Sequence, residues 1–129
     1  MKNVSNDDFN ADCGLYFKSI AGTLNHLLVG EHYLWFPRFL AKPSPLLKLN
    51  TIVENDQAKL ISQLEDKAYN WLDFLKDFDE EKLNSDLRYK TSTGKDMKFP
   101  YAATLLHVFK HGTHHRGQIT GALTSMGYL

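Results

Sequence analysis

The sequence has 129 residues, of which 43% are hydrophobic and 23% are charged, so it suits one globular domain and excludes extensive disorder. The 15 Lys and Arg residues balance the 15 Asp and Glu residues, which leaves no excess positive charge to attract nucleic acid or an acidic membrane. We therefore expect neither nucleic acid nor a membrane as a partner.

Cysteine content and the N-terminus indicate the compartment. The single cysteine, Cys13, cannot form an intrachain disulfide, which is typical of a reducing environment. The N-terminal residues carry no apolar signal region, and no apolar run approaches the roughly 20 residues that a transmembrane helix needs. These features predict a single cytoplasmic domain over residues 1–129.

Helical periodicity marks a first long segment from about Asp12 to Leu40. Pro43 and Pro45 follow it, and neither can continue a helix. A broad apolar stripe recurs at about 100° per residue. Its members are Cys13, Phe17, Ile20, Leu24, Leu27, Leu28, Leu34 and Trp35.

A second segment, from about Val53 to Phe78, has the pattern of one amphipathic helix that faces the core. Polar and charged side chains occupy its opposite side. The predicted buried face consists of Leu60, Ile61, Leu64, Ala68, Trp71, Leu72, Leu75 and Phe78.

The pattern changes between Leu83 and Pro100. Residues 87–99 alternate in part around a Thr-Gly pair, which predicts a short β-hairpin. A third helix is predicted after Pro100 and runs to about Ser125, with Gly127 as its stop. Three long helices and a hairpin indicate an all-α helical bundle.

The third helix carries three histidines at four-residue spacing, His107, His111 and His115. Four residues advance a helix by about 400°, so the three rings share one face, which is otherwise the apolar, inward face. His114 is turned away from them. An i, i+4 histidine pair can bind a zinc-like ion, and neutral imidazole suits zinc, nickel, copper or iron.

A third ligand would have to come from another helix, and His26 is the best candidate. Gly22 and Gly30 lie four residues to either side of it, which predicts open space around its ring. A helical wheel places His26 nearly opposite the leucine stripe, so it faces inward only if this helix is buried on two sides. Glu31 falls inside the stripe and is either a partner for an inward-facing group or a rival ligand.

The residues alone leave a metal-free bundle with buried histidines as an alternative. The general base of a zinc protease is missing, because Gly112 stands where the Glu of a His-Glu-x-x-His motif would be.

Two coupled motifs bear a resemblance to a known family. Residues 22–31 read GTLNHLLVGE, and residues 107–119 read HVFKHGTHHRGQI. Together they closely resemble the DinB family, over a stretch from about Asp7 to Leu129. The resemblance implies an up-down-down-up four-helix bundle that holds a divalent transition metal. On ligand type, zinc and nickel are the leading choices for that metal.

The resemblance also implies the site. By motif position the metal ligands would be His26, His111 and His115, with open positions for water or substrate. Glu31, His107 and Gln118 are candidates for supporting the ligands or lining the pocket, and Gln118 could bond a ligand ring. Arg116 points off the metal face and could hold a helix or a subunit contact.

The chain departs from the family pattern because a first helix present in relatives is not evident ahead of Asp12. A second copy of the chain could cover the exposed flank, which predicts a homodimer.

Two chemistries follow for a three-histidine site with an open position. One is transfer of a small thiol to an electrophile, and the other is metal-assisted hydrolysis. Transfer is preferred, because hydrolysis normally requires a general base and only Glu31 suggests itself. The alternative is a non-catalytic metal-binding or stress-associated interaction protein. A fourth protein ligand, such as His107 or Glu31, would close the site and favour that alternative.

Overall fold

A computed structural model describes residues 3–91 and 93–128. It is mostly helical and contains one antiparallel hairpin, as predicted. Throughout this part of the chain, every helix lacks either the length or the apolar character needed to cross a bilayer. The elements in chain order are α1 (Asn6–Asn10), α2 (Ile20–Leu27), a π-helix (Leu28–Trp35), α3 (Phe36–Phe39), α4 (Gln57–Lys76), a 3₁₀-helix (Glu80–Asn84), β1 (Asp86–Lys90), β2 (Asp96–Pro100) and α5 (Tyr101–Ser125).

The first long helix begins at Ile20, so the prediction that it begins at Asp12 is wrong. Residues 11–19 form a loop, in which Gly14 and Lys18 have φ of 81° and 73°, values that a right-handed helix cannot accommodate. Ser19 starts α2 as its N-cap, because its hydroxyl accepts a hydrogen bond from the N–H of Gly22 at 2.9 Å. The periodic apolar residues before Ser19 belong to the loop.

Helix α2 lies at the centre of the fold, and all of its residues from Ile20 to Leu27 are buried. It contacts α1, α4 and α5. The larger core cluster forms around it, and apolar burial of this kind is the main favourable term in folding. Its fully or nearly fully buried members include Phe9, Ile20, Leu24, Leu27, Leu28, Leu60 and Ile119.

A second core cluster is rich in aromatic residues and joins α3, α4, the hairpin and α5. Its buried members are Phe39, Trp71, Leu87, Tyr101 and Val108. On α4 the buried face is narrower than predicted, since Leu72 is 60% exposed and Leu75 is 37% exposed. Helix α4 contacts α2 and the π-helix, and its Trp71 packs on Phe39 of α3, while these two leucines stay outside the core.

The predicted hairpin is confirmed, with Leu87 opposite Phe99 and Lys90 opposite Asp96. Gly94 supplies a positive φ of 86° in the turn, while Ser92 lies outside the described residues. The predicted stop of α5 is also confirmed. Gly127 has φ of 94°, and the next N–H bonds back to the carbonyl of Leu123 at 2.9 Å.

Asn25 connects α2 to the segment that leads into α4. It is fully buried, and its amide nitrogen donates to the carbonyls of Ala21 and Glu54 at 2.9 and 3.0 Å. Its amide oxygen accepts from the N–H groups of Val53 and Glu54 at 2.8 and 3.0 Å. One side chain therefore satisfies four backbone groups across two segments.

Asn25→Ala should lower the free energy of unfolding by about 3 kcal/mol. The substitution removes the acceptor of two backbone N–H groups, and each buried unpaired group costs about 1–3 kcal/mol. Urea denaturation followed by circular dichroism measures the change. Asn70→Ala, at an exposed position of α4, is the matched control and should leave the midpoint unchanged or raise it slightly. Equal midpoints for the two variants would contradict the role given to Asn25.

Candidate metal centre

Three imidazole rings converge between α2 and α5. The Nε2 atom of His111 lies 3.1 Å from Nε2 of His26 and 3.0 Å from Nε2 of His115. The three ligand atoms all lie within 4.8 Å of one another. His26 and His115 are buried and His111 is half-buried. The structure thus brings together the three histidines that the sequence suggested as metal ligands.

Helix geometry explains the convergence. His111 and His115 are one turn apart on α5, as their spacing predicts. His26 faces them because α2 is buried all around, which meets the condition set by the helical wheel. The space expected at Gly22 is not open, since a Cβ there would overlap the carbonyl oxygen of Phe17. The space at Gly30 is open, because a Cβ at that position would meet no heavy atom within 4 Å.

The second ring nitrogens of two histidines have acceptor partners. Nδ1 of His26 lies 2.9 Å from the carbonyl oxygen of Leu49, and Nδ1 of His115 lies 2.8 Å from Oε1 of Gln118. Because both oxygens only accept, each Nδ1 carries a proton and donates it. In the neutral rings, Nε2 of His26 and Nε2 of His115 therefore each carry a lone pair that points at the ring of His111.

This donor set fits a metal ion and does not fit three imidazoles alone. Nε2 of His111 carries at most one proton, so it can satisfy only one of the two lone pairs that face it. Two nitrogens bound at 2.0–2.1 Å to one tetrahedral ion lie about 3.3 Å apart, close to the observed 3.0 and 3.1 Å. A cation among the three nitrogens would satisfy all the lone pairs at once.

Burial keeps the three rings neutral, which is the form that binds a metal. Burial lowers the pKa of His26 and of His115. Burial lowers the pKa of His111 to about 4, and the neighbouring His115 and His26 act in the same direction. At neutral pH all three imidazoles therefore offer a lone pair.

Phe17 and Leu49 complete the surroundings of the three histidines, and the sequence analysis assigned neither residue to the site. The ring of Phe17 stacks on that of His26, with centroids 3.9 Å apart and planes 16° apart. A cleft of about 850 Å³ adjoins the centre, and both Phe17 and Leu49 line it. The three imidazoles do not line this cleft, so a substrate held there would reach them past Phe17. The stacking of Phe17 on His26 depends on the loop before α2, whereas the sequence periodicity assigned Phe17 to a helix.

Glu31 is placed as a partner of Arg116. The Arg116 guanidinium donates to both carboxylate oxygens of Glu31, at 3.1 and 3.3 Å. Gly112 makes room for this pair, since a Cβ there would overlap Oε1 of Glu31. Burial raises the pKa of Glu31, while the guanidinium of Arg116 opposes that shift. Arg116 thus ties α5 to the π-helix, one of the two roles expected for it.

The remaining histidines of α5 lie outside the cluster of three. His107 is exposed, so the prediction that it faces inward is wrong. Its ring centroid is 5.8 Å from that of His111 and 6.1 Å from that of Trp35. Tyr101 and Thr104 already fill the inward face at the start of α5. His114 is exposed, as its position on the helix predicts.

Comparison with known proteins gives two matches. The model of the DinB family matches residues 1–129, a range that includes both histidine-bearing segments. The chain is 28% identical over 134 residues to Protein DinB of Bacillus subtilis (strain 168), and the alignment covers 99% of this chain and 76% of that protein. No solved structure gives a significant match.

Proposed function

The chain belongs to the DinB family, and on that premise we propose that it is a metal-dependent enzyme that transfers a small thiol to an electrophile. In this proposal His26, His111 and His115 hold one divalent transition metal. The observation that supports the bound metal is the pair of Nε2 lone pairs aimed at a third ring that can satisfy only one of them. Imidazole ligands suit zinc, nickel, copper and iron, and we take zinc and nickel as the leading candidates.

A three-histidine centre leaves coordination positions open. A divalent ion held there supplies Lewis-acid chemistry, which lowers the pKa of a thiol or water that takes an open position. The chain's own groups orient this centre, since the Leu49 carbonyl and the Gln118 amide fix two of the rings. Phe17 shields His26 from water on one ring face.

Transfer requires less of the surrounding residues than hydrolysis does. In transfer, the thiol sulfur bonds to an electrophilic carbon, the leaving group departs with its electron pair, and the thiol proton goes to solvent. Hydrolysis normally requires a general base within hydrogen-bond reach of the attacking water. Glu31 is the carboxylate that the sequence suggested for this role, and Arg116 engages both of its oxygens. This pairing favours transfer.

The proposal is tested with protein purified without a histidine tag and loaded with zinc or nickel. Cysteine and chlorodinitrobenzene serve as thiol and electrophile, and nitrophenyl acetate reports hydrolysis in parallel. Thioether formation above the uncatalysed rate, lost in His111→Ala, is the expected result. Ester cleavage without thioether formation would replace the proposal with a hydrolase. Bound metal with neither activity would favour a non-catalytic metal-binding protein.

Gln118→Leu should weaken metal binding by about 10–100-fold, the usual effect of removing a group that orients a metal-binding histidine. The variant removes the acceptor that fixes the proton of His115 on Nδ1. Competition with a zinc-sensitive chelating dye measures the affinity. Gln118→Glu keeps an acceptor oxygen at the same position and should retain affinity. Equal affinities for wild type and Gln118→Leu would refute the orienting role.

The homodimer expected from the sequence stays a prediction. Size-exclusion chromatography with light scattering on the metal-loaded protein decides between one chain and two. A stable monomer at micromolar concentration would contradict it.

A further inference from the structure

A second cleft, of about 960 Å³, lies between the end of α3, the segment that follows it, and the β-hairpin. None of the three metal-centre histidines lines it. Cationic side chains dominate its polar lining, with Asp96 as the single carboxylate. Its cations are Arg38, Lys42, Arg88, Lys90 and Lys98.

Arg38 is the unusual member of this group, because it is only 7% exposed. Its guanidinium carbon lies 4.6 Å from the ring centroid of Trp35 and 4.7 Å from that of Tyr89. Its buried Nε–H has no acceptor among the described residues. Buried arginines are ordinarily paired with a carboxylate or phosphate. Arg38 instead contacts two aromatic rings, which leaves its charge without a counter-ion.

The neighbouring acids do not supply that counter-ion. Asp96 faces Lys90 at 3.9 Å, and Asp86 faces Lys98 at 4.0 Å, both on the exposed hairpin. Within residues 3–91 and 93–128 no carboxylate lies within ion-pair distance of Arg38. The cleft therefore has an excess of positive charge around a desolvated guanidinium.

We propose that this cleft binds an organic anion whose carboxylate or phosphate group pairs with Arg38. A guanidinium offers its donors in a fixed planar fork that matches either oxyanion. The apolar part of the ligand would lie against Leu46, Tyr89 and Met97, which also line the cleft. Lys42 and Arg88, both exposed, add attraction at the rim. This binding is independent of the proposed thiol transfer.

The experiment is calorimetric titration of the full chain with benzoate, phenyl phosphate and neutral benzyl alcohol. We expect at least one anion to bind with a dissociation constant of about 1 mM or below, and benzyl alcohol to bind at least about tenfold more weakly. Tighter binding of benzoate would identify a carboxylate as the preferred ligand group, and tighter binding of phenyl phosphate would identify a phosphate. The same titration of His111→Ala should give the same constants, which separates this site from the metal centre. Failure of both anions to bind, or equal binding of the alcohol, would overturn the proposal.

Arg38→Met keeps an unbranched side chain between the two rings and removes the charge. It should weaken binding of the anion at least about tenfold, whereas Lys110→Met, an exposed charge on α5 outside the cleft, should have no effect. Unchanged affinity in folded Arg38→Met would refute the site. If circular dichroism shows that Arg38→Met does not fold, the double variant Lys42→Met/Arg88→Met at the rim of the cleft tests the proposal instead. A loss of about threefold or more in that variant supports the cleft, and an unchanged constant overturns it.

Discussion

His111→Ala should weaken metal binding by roughly two to three orders of magnitude, a larger effect than that expected of Gln118→Leu. Nε2 of His111 is the atom that lies within 3.1 Å of both other ring nitrogens. Four-ligand structural sites bind zinc with about 10–16 kcal/mol, or roughly 2.5–4 kcal/mol for each ligand. Loss of one ligand from three should therefore weaken affinity by roughly 70- to 900-fold. Elemental analysis of untagged protein and competition with a chelating dye measure the change.

Two histidines of the same helix are controls for this prediction. His114→Ala alters an exposed ring outside the cluster and should leave metal content unchanged. His107→Ala should also retain the metal, because its ring lies beyond His111 and faces Trp35. Metal loss in His107→Ala would mean a fourth protein ligand and a closed site. Equal metal content in wild type and His111→Ala would contradict the proposal that these three histidines form a metal centre.

Metal binding also has an effect on stability. A ligand that binds only the folded state, at about a thousand times its dissociation constant, adds about 4 kcal/mol to the free energy of unfolding. Chelation should therefore lower the melting temperature of wild type. It should leave the melting temperature of His111→Ala nearly unchanged.

Gly22→Ala should lower the free energy of unfolding by about 3 kcal/mol, at the upper end of the range for overpacking a close-packed interior. The added methyl group would overlap the backbone carbonyl of Phe17, and backbone cannot rotate away as a flexible side chain can. The loop before α2 would have to move. Since Phe17 stacks on His26, the variant should also perturb the metal centre.

Gly30→Ala is the matched control, because the same substitution there meets no heavy atom within 4 Å. Alanine also favours helical conformation over glycine by about 1 kcal/mol. Gly30→Ala should therefore be neutral or slightly stabilising. Chemical denaturation of the two variants and wild type compares their midpoints. A midpoint for Gly22→Ala equal to that of Gly30→Ala would show that the loop yields freely.

Local spacing along a single helix could be predicted from the sequence. The i, i+4 pair on α5, the exposure of His114 and the Gly127 stop all depend on helix geometry alone, and the structure has each of them. The facing of His26 depended on the burial of α2 from every side. That burial is a property of the whole fold. A helical wheel drawn from the sequence could therefore say that His26 faces inward only if α2 is buried on two sides, but it could not establish that burial.

The features that sequence analysis missed depend on irregular backbone. The positive φ of Lys18 is rare for a residue with a Cβ, and it removes the loop before Ser19 from the predicted helix. The partner of His26 is the carbonyl of Leu49, a group that every residue carries, so no residue type identifies it. Arg38 contacts Tyr89 only when the hairpin folds over α3.

The π-helix between His26 and Arg38 sets the angle between the two ends of this long helical segment. Its hydrogen bonds join residues five apart instead of four, so it accommodates extra chain within the same rise. Deleting one residue from Leu28–Trp35 would allow ordinary helical winding to resume. The residues after the deletion would keep nearly the same direction about the axis, because the π-helix already absorbs the extra chain within the same rise. The same deletion from α2 would instead turn everything after it by about 100° about the axis, which would carry Arg38 away from Tyr89 and disable the cleft.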